Sequence, residues 1–274
     1  MSFASFVTLD SKDVKTTYST SQGRHLGDRG MTGDGRSFAW ALAGEALTTG
    51  IPITPAALGG LGTTAFTNIN TTIDTWEPSS TSRTISLSTT WSTWGAIANE
   101  YADGWLVVEE STHAYARGQM VRVKSNTAGS TSTTDSPLHT VITFADDDYL
   151  KAGVNTGATI QVVPNEYFDV IENDGGASTT MPIVGVAVCE VADNAYFWAQ
   201  TWGPCVVQQE GTAVLGELLV QSTDGLQGLA PLSLSTAATD VANYKVVVRP
   251  QIGWVLGPSS GDTDMGLVFL TIRP

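Results

Sequence analysis

Apolar and polar residues alternate along most of this chain with a period of two. Phe38 and Trp40 alternate with Ala39 and Ala41, and Thr84-Ile85-Ser86-Leu87-Ser88 alternates cleanly. Gln119 to Asn126 and His139 to Phe144 repeat the pattern. A period of two marks half-buried β-strands. Shorter unbroken apolar runs, Gly104 to Glu109 and Pro182 to Val188, read as strands buried on both faces. Thr159 to Val163 is a further strand, stopped by Pro164. Ala195 to Trp202, Cys205 to Val207, Leu218 to Val220, Tyr244 to Val248 and Leu267 to Ile272 complete the set, with Gly203-Pro204 read as a break. Pro52 and Pro55 bracket a segment suited to an edge strand or a strand end. One stretch, Trp91 to Tyr101, suits a short helix or turn. Strands this short, separated by turns, predict an all-β fold of β-tulip or β-barrel-like domains built from short antiparallel strands.

Punctuation supports the reading. A glycine precedes a strand at Gly50, Gly118, Gly157 and Gly216, each four positions after Ala46, Ala114, Gly153 and Thr212. Tight turns with positive φ suit glycine there. Met1 to Arg36 has little periodicity after Val7, so an extended N-terminal arm is expected over residues 1–36, ordered by contact with neighbours. Residues 37–60 with 181–274 are expected to form a β-barrel-like domain, and 61–180 an inserted β domain.

Composition sharpens this. Among 274 residues only 15% are charged, and Ser and Thr runs take their place. Hydroxyl-rich surfaces suit strands and turns rather than helices. The formal charge is −14. Such a surface repels nucleic acid and anionic membranes, so neither is expected as a partner. No run approaches the ~20 apolar residues of a membrane span. Met1 to Phe6 has no basic start or long apolar run, and no export leader is expected. The charge is uneven: Lys12, Lys15, Arg24, Arg29 and Arg36 crowd the first segment, and no basic residue lies between Lys151 and Lys245. Cys189 and Cys205 sit in apolar surroundings that suit buried free thiols, although spacing alone leaves their pairing open.

Catalytic signatures are sparse. His25, His113 and His139 fall in no metal-ligand pattern, and no metal or cofactor is expected. Gly30 to Gly35 leads into a strand, which does not suit a phosphate cradle. Asp146-Asp147-Asp148 reads as a solvated acidic loop before it reads as a calcium site. Asp103, Glu109 and Glu110 near Trp105 offer a hydrolase alternative. Trp91, Trp94 and Trp105 offer a sugar-binding alternative, since indole faces stack on sugars, but such residues more often fill cores and interfaces. The leading expectation is a structural protein and not an enzyme.

A resemblance points the same way. Ile183 to Val188, Gln200 to Val207, Gly216 to Val220, Ile252 to Leu256 and Val268 to Ile272 resemble the capsid decoration, or cement, proteins of tailed bacteriophages and their minor-capsid relatives. Gly35 to Gly50 is similar in style. The likeness covers the last third and, weakly, the first quarter. It implies a homotrimer on the outer surface of the virion capsid, bound to the major capsid protein where its subunits meet. On that expectation the arm makes the contact through Lys12, Lys15, Arg24, Arg29 and Arg36. The alternative is a carbohydrate-binding virion adhesin in a head fibre or tail.

Overall fold

A computed structural model describes residues 6–56, 69–70, 83–89, 98–110, 117–128, 138–151, 159–173, 181–222, 227–232, 250–259, 261 and 263–273. The chain divides into two compact units, Met1–Ala57 with Tyr167–Pro274, and Leu58–Glu166. The first unit opens with β1 (Val7–Leu9), a 3-10 turn (Asp13–Lys15), β2 (Arg29–Thr32), β3 (Ser37–Leu42) and β4 (Pro52–Pro55). The second holds β5 (Ile69–Asn70), β6 (Thr84–Thr89), β7 (Trp105–Glu110), β8 (Met120–Asn126), β9 (Leu138–Phe144) and β10 (Thr159–Val163). The chain then returns to the first with β11 (Val170–Glu172), β12 (Gly185–Ala187), β13 (Tyr196–Gln208), β14 (Leu218–Gln221), β15 (Leu229–Pro231), β16 (Gly253–Gly257) and β17 (Met265–Thr271). The fold is all-β, as the alternation predicts. The expected strand Tyr244 to Val248 and most of the helix candidate, from Trp91 on, lie outside the described residues; Ala98 to Asp103 are turns.

The second unit is one antiparallel sheet in the order β5-β10-β7-β8-β9-β6. Its inward positions, Leu106, Val108, Val121, Val123, Ile142 and Phe144 among them, form one core. Val121, Val123, Ile142 and Phe144 are the apolar members of alternating runs, whereas Leu106 and Val108 come from the run expected to be buried on both faces, in which Trp105 is instead 40% exposed and Val107 half-buried.

The first unit is built around β13. The sheet runs β1-β2-β3-β13-β17-β16-β14-β15, and β12 joins β13 to β4 and β11. All pairings are antiparallel except β1 with β2. The first half of β13 pairs with β3, and the second half pairs with β17. The expected break at Gly203-Pro204 is instead a bend within one strand. Gly203 takes φ +89, and the buried Gln200 amide donates to the Trp202 and Pro204 carbonyls at 3.1 and 2.8 Å. Pro204 is tolerated because alternate N–H groups here point away from β17, as Gln208 N does toward Gly50 O. Pro204 falls on that side, where its missing donor breaks no β17 ladder bond.

Residues 7–36 are built into this unit and do not form an arm. β1 and β2 extend the sheet, and Tyr18 exchanges backbone bonds with Tyr196 at 2.7 and 2.8 Å. Leu9 and Val14 cover Phe38, Trp40 and Trp198 on the outer face of β3 and the first half of β13. Arg24 lies over the Trp40 and Trp198 rings, 5.6 and 5.2 Å from their centroids. An aromatic face this large would be costly to leave in water, so the polar-looking N-terminal segment is held by what it covers.

Candidate interaction surfaces

The second half of β13 alternates sharply. Cys205 and Val207 turn inward with Leu219, Val255, Val268 and Leu270 into a single core. Pro204 and Val206 turn outward and are exposed, as are Leu267 and Met265 on β17. The register aligns these residues into rows. Pro204 stands opposite Phe269, which stands opposite Trp254, which stands opposite Leu218. Val206 stands opposite Leu267, where a bulge in β16 sets both Leu256 and Gly257 against one residue. Trp254 stacks on Phe269 at 4.5 Å and 6°, and Trp202 meets Phe269 edge-on at 5.5 Å. The turn after Ala213 holds Val214 and Leu215 at 60% and 71% exposure, and Gly216 N bonds Val255 O at 2.9 Å.

The result is an outer sheet face that is apolar across four strands. β13, β14, β16 and β17 contain no charged residue. The register shifts between Gln200 and Trp202, so the side of β13 that residues 7–26 cover in its first half continues into the Cys205–Val207 core, and Val206 on the opposite side is 53% exposed. The aromatic rings pack on one another and do not present open platforms, which suits a protein contact better than a sugar.

The expected capsid-contact residues are dispersed. Lys12 and Lys15 are exposed at the two ends of the 3-10 turn, Lys12 as its N-cap and Lys15 as its last residue. Asp10 accepts the Lys12 and Asp13 backbone N–H groups at 2.7 and 2.8 Å, and these bonds hold its carboxyl below the usual range. Arg24 is engaged with the two indoles, and Arg29 is half-buried on β2. Arg36 Nε donates to Asp34 Oδ2 at 2.9 Å, closing the β2–β3 turn. Bonds from Thr32 and Arg36 hold the Asp34 carboxyl below its ordinary value.

Of the sugar-binding candidates, Trp91 and Trp94 lie outside the described residues. Trp105 is 40% exposed on β7, between Val163 and Arg122 on the neighbouring strands. The Glu109 and Glu110 side chains lie outside the described residues. Asp103 sits in a left-handed turn, φ 62, its carbonyl accepting from Asn165 Nδ2 at 3.1 Å. Asp146 pairs with Lys124 at 2.9 Å, and Asp148 Oδ2 accepts the Arg122 N–H at 2.7 Å, so this acidic run serves the local fold. Among the described residues, no group of three or more His, Cys, Asp or Glu stands in position to hold a metal. Cys189 and Cys205 are both free thiols. Burial pushes the Cys205 thiol up to about 12, and burial with Glu190 nearby raises that of Cys189.

The apolar face escaped the sequence reading. Its signal is visible in hindsight of the register only: Val206, Leu256 and Leu267 fall at outward positions of strands whose inward positions are already apolar. No family model matches the chain, and no curated protein or solved structure is significantly similar to it.

Proposed function

We propose that this protein is a structural component of a virion, a decoration or cement protein on the outer surface of a phage head that stabilises contacts between major capsid protein subunits. The observation that supports this reading is the uncharged sheet face of β13, β17, β16 and β14. A strongly acidic chain that keeps such a face is built to be held in a protein assembly, since isolated proteins seldom expose contiguous apolar patches above a few hundred Å². The segments that resemble decoration proteins all contribute to this unit: β12, β13, β14, β16 and β17. The role is mechanical. A bent sheet with both an inner core and a packed N-terminal cover is stiff, and stiffness lets many modest contacts resist expansion of a shell together.

The shell contact falls on the exposed turn with Lys12 and Lys15, the near-neutral end of an acidic molecule. Cations at the rim of a contact govern association rate and salt dependence more than they govern the fold. The test is co-sedimentation of purified protein with heads that lack it. The protein is expected to pellet with the heads, and Lys12→Glu with Lys15→Glu is expected to slow association and to flatten its dependence on salt. Failure of the unaltered protein to pellet with heads would overturn the proposal.

A further inference from the structure

We propose that the outward face of the second unit holds a binding site for an acidic saccharide, with Trp105 stacking on a sugar ring and Arg122 taking the carboxylate. The site goes beyond the capsid contact and lies within the second unit alone.

Trp105 stands apart from the other tryptophans. Among the described residues, Trp40, Trp198, Trp202 and Trp254 each pack on another ring. Trp105 packs on none and is 40% exposed, although Leu106 and Val108 on the same strand are buried. A large aromatic surface left in water gains free energy when a ligand covers it. The backbone that carries it is held firmly. Gly104 lies so close to the Val163 carbonyl that a Cβ there would collide with it, and Asn165 Nδ2 donates to the Asp103 carbonyl at 3.1 Å. The indole is thus presented from a fixed strand rather than from a loop.

Arg122 is directly opposite Trp105 in the β7–β8 register, on the same face, with Cβ atoms about 5 Å apart. It is half-buried, and its Nε is shielded from water with no acceptor. Among the described residues its guanidinium has no carboxylate partner, in a chain with 27 acidic residues against 13 basic ones. The acids bonded to this strand are engaged elsewhere. Asp148 accepts the Arg122 and Tyr149 backbone N–H groups at 2.7 and 2.9 Å, and Asp146 pairs with Lys124. A half-buried cation seldom persists without a partner, and the planar fork of a guanidinium matches a carboxylate.

The pair defines the ligand class. An indole beside a guanidinium suits a ring with an apolar C–H face and an anionic oxygen at its rim, as in a uronic or sialic acid. Val107 and Met120, the next register pair on this face, extend the apolar floor, and Met120 is 55% exposed. Asp148 and the Lys151 N–H, bonded to Gln119 Oε1 at 2.6 Å, draw segment 148–151 along the side of β8 away from β7. That brings Tyr149, 60% exposed, to the edge of the platform. A peptide is less suited. It binds sheets by pairing with an open strand edge, and β7 and β8 are already paired on both sides.

Glycan-array binding of the full chain, followed by titration calorimetry with the oligosaccharides it retains, tests the proposal. Glycans containing uronic or sialic acid are expected to bind in preference to neutral ones, more weakly as salt rises. Trp105→Ala and Arg122→Gln are each expected to weaken binding about 10-fold or more, and Arg122→Gln to erase the preference for acidic glycans. Circular dichroism reports whether each variant keeps its fold, and Trp105→Phe, which keeps a ring, is expected to retain most of the affinity. Phe6→Ala, which removes an exposed aromatic of the first unit, is expected to change nothing. An array on which no acidic glycan binds would overturn the proposal. So would binding indifferent to both site substitutions, or equal binding of polyglutamate, which would mark a general anion or peptide surface. Neither site substitution is expected to alter pelleting with heads, so this site and the virion role fail separately.

Discussion

Two individual residues show how tightly the first unit is specified. Gly30 on β2 lies under Leu9, and a Cβ there would collide with Leu9 Cδ1 and approach Trp198 at 3.2 Å. Gly30→Ala is therefore expected to unseat Leu9 and cost about 1–3 kcal/mol, the usual range for overpacking, in urea denaturation. Asp169 is a different case. It adopts φ 54, its carboxylate lies against Gly44, and desolvation together with Asp193 raises its carboxyl above the ordinary value. A carboxyl raised in the folded state penalises folding once it ionises. That penalty grows as pH rises through the raised value and is absent below the unfolded value. Asp169→Asn removes the charge and keeps a residue that tolerates the left-handed conformation. It is expected to raise the melting temperature near neutral pH and to lose that advantage in acid. An equal gain at both pH values would contradict the assignment. Neither residue could be singled out from sequence, because glycine and aspartate in an N-terminal or loop segment read as ordinary turn chemistry.

At the level of elements, legibility followed periodicity. Strands with one buried face, such as β8 with Val121 and Val123 inward, are written plainly in the sequence. The N-terminal segment is not, because its apolar residues are few and widely spaced. Leu9, Val14 and Tyr18 join a cluster whose bulk comes from Phe38, Trp40 and Trp198. Read alone they look like a loose arm; in place they are a cover. The consequence is testable. Removing residues 1–26 exposes three large aromatic side chains that are now at most 1% accessible, and takes away the Arg24 cation–π contacts. The truncated protein is expected to aggregate or melt at markedly lower temperature, with loss of near-ultraviolet dichroism from Trp40 and Trp198. A truncated chain as stable as the full one would show that the cover contributes nothing. Paired substitution of Lys12 and Lys15 is thus a cleaner probe of shell contact than deletion. The misread Gly203-Pro204 has a similar origin. Proline and glycine usually end strands, but here Pro204 needs no N–H toward β17, and the Gln200 amide satisfies the Trp202 and Pro204 carbonyls at the irregularity.

For the whole molecule, the acidic charge and the uncharged face belong to one design. Acidity keeps copies of the chain apart in solution, and an uncharged face offers a partner protein a contact that salt does not weaken. The sequence made the class of fold legible. It did not reveal the face, because an exposed valine or leucine is indistinguishable from a buried one until register assigns it a side of the sheet. The most direct test of the structural role is cryo-electron microscopy of the particle that carries this chain. The account predicts density for it on the outer head surface, bridging major capsid protein subunits, with the Lys12–Lys15 turn toward the shell and the β13–β17 face covered by protein. Density confined to a tail or fibre, or none on the particle, would contradict it.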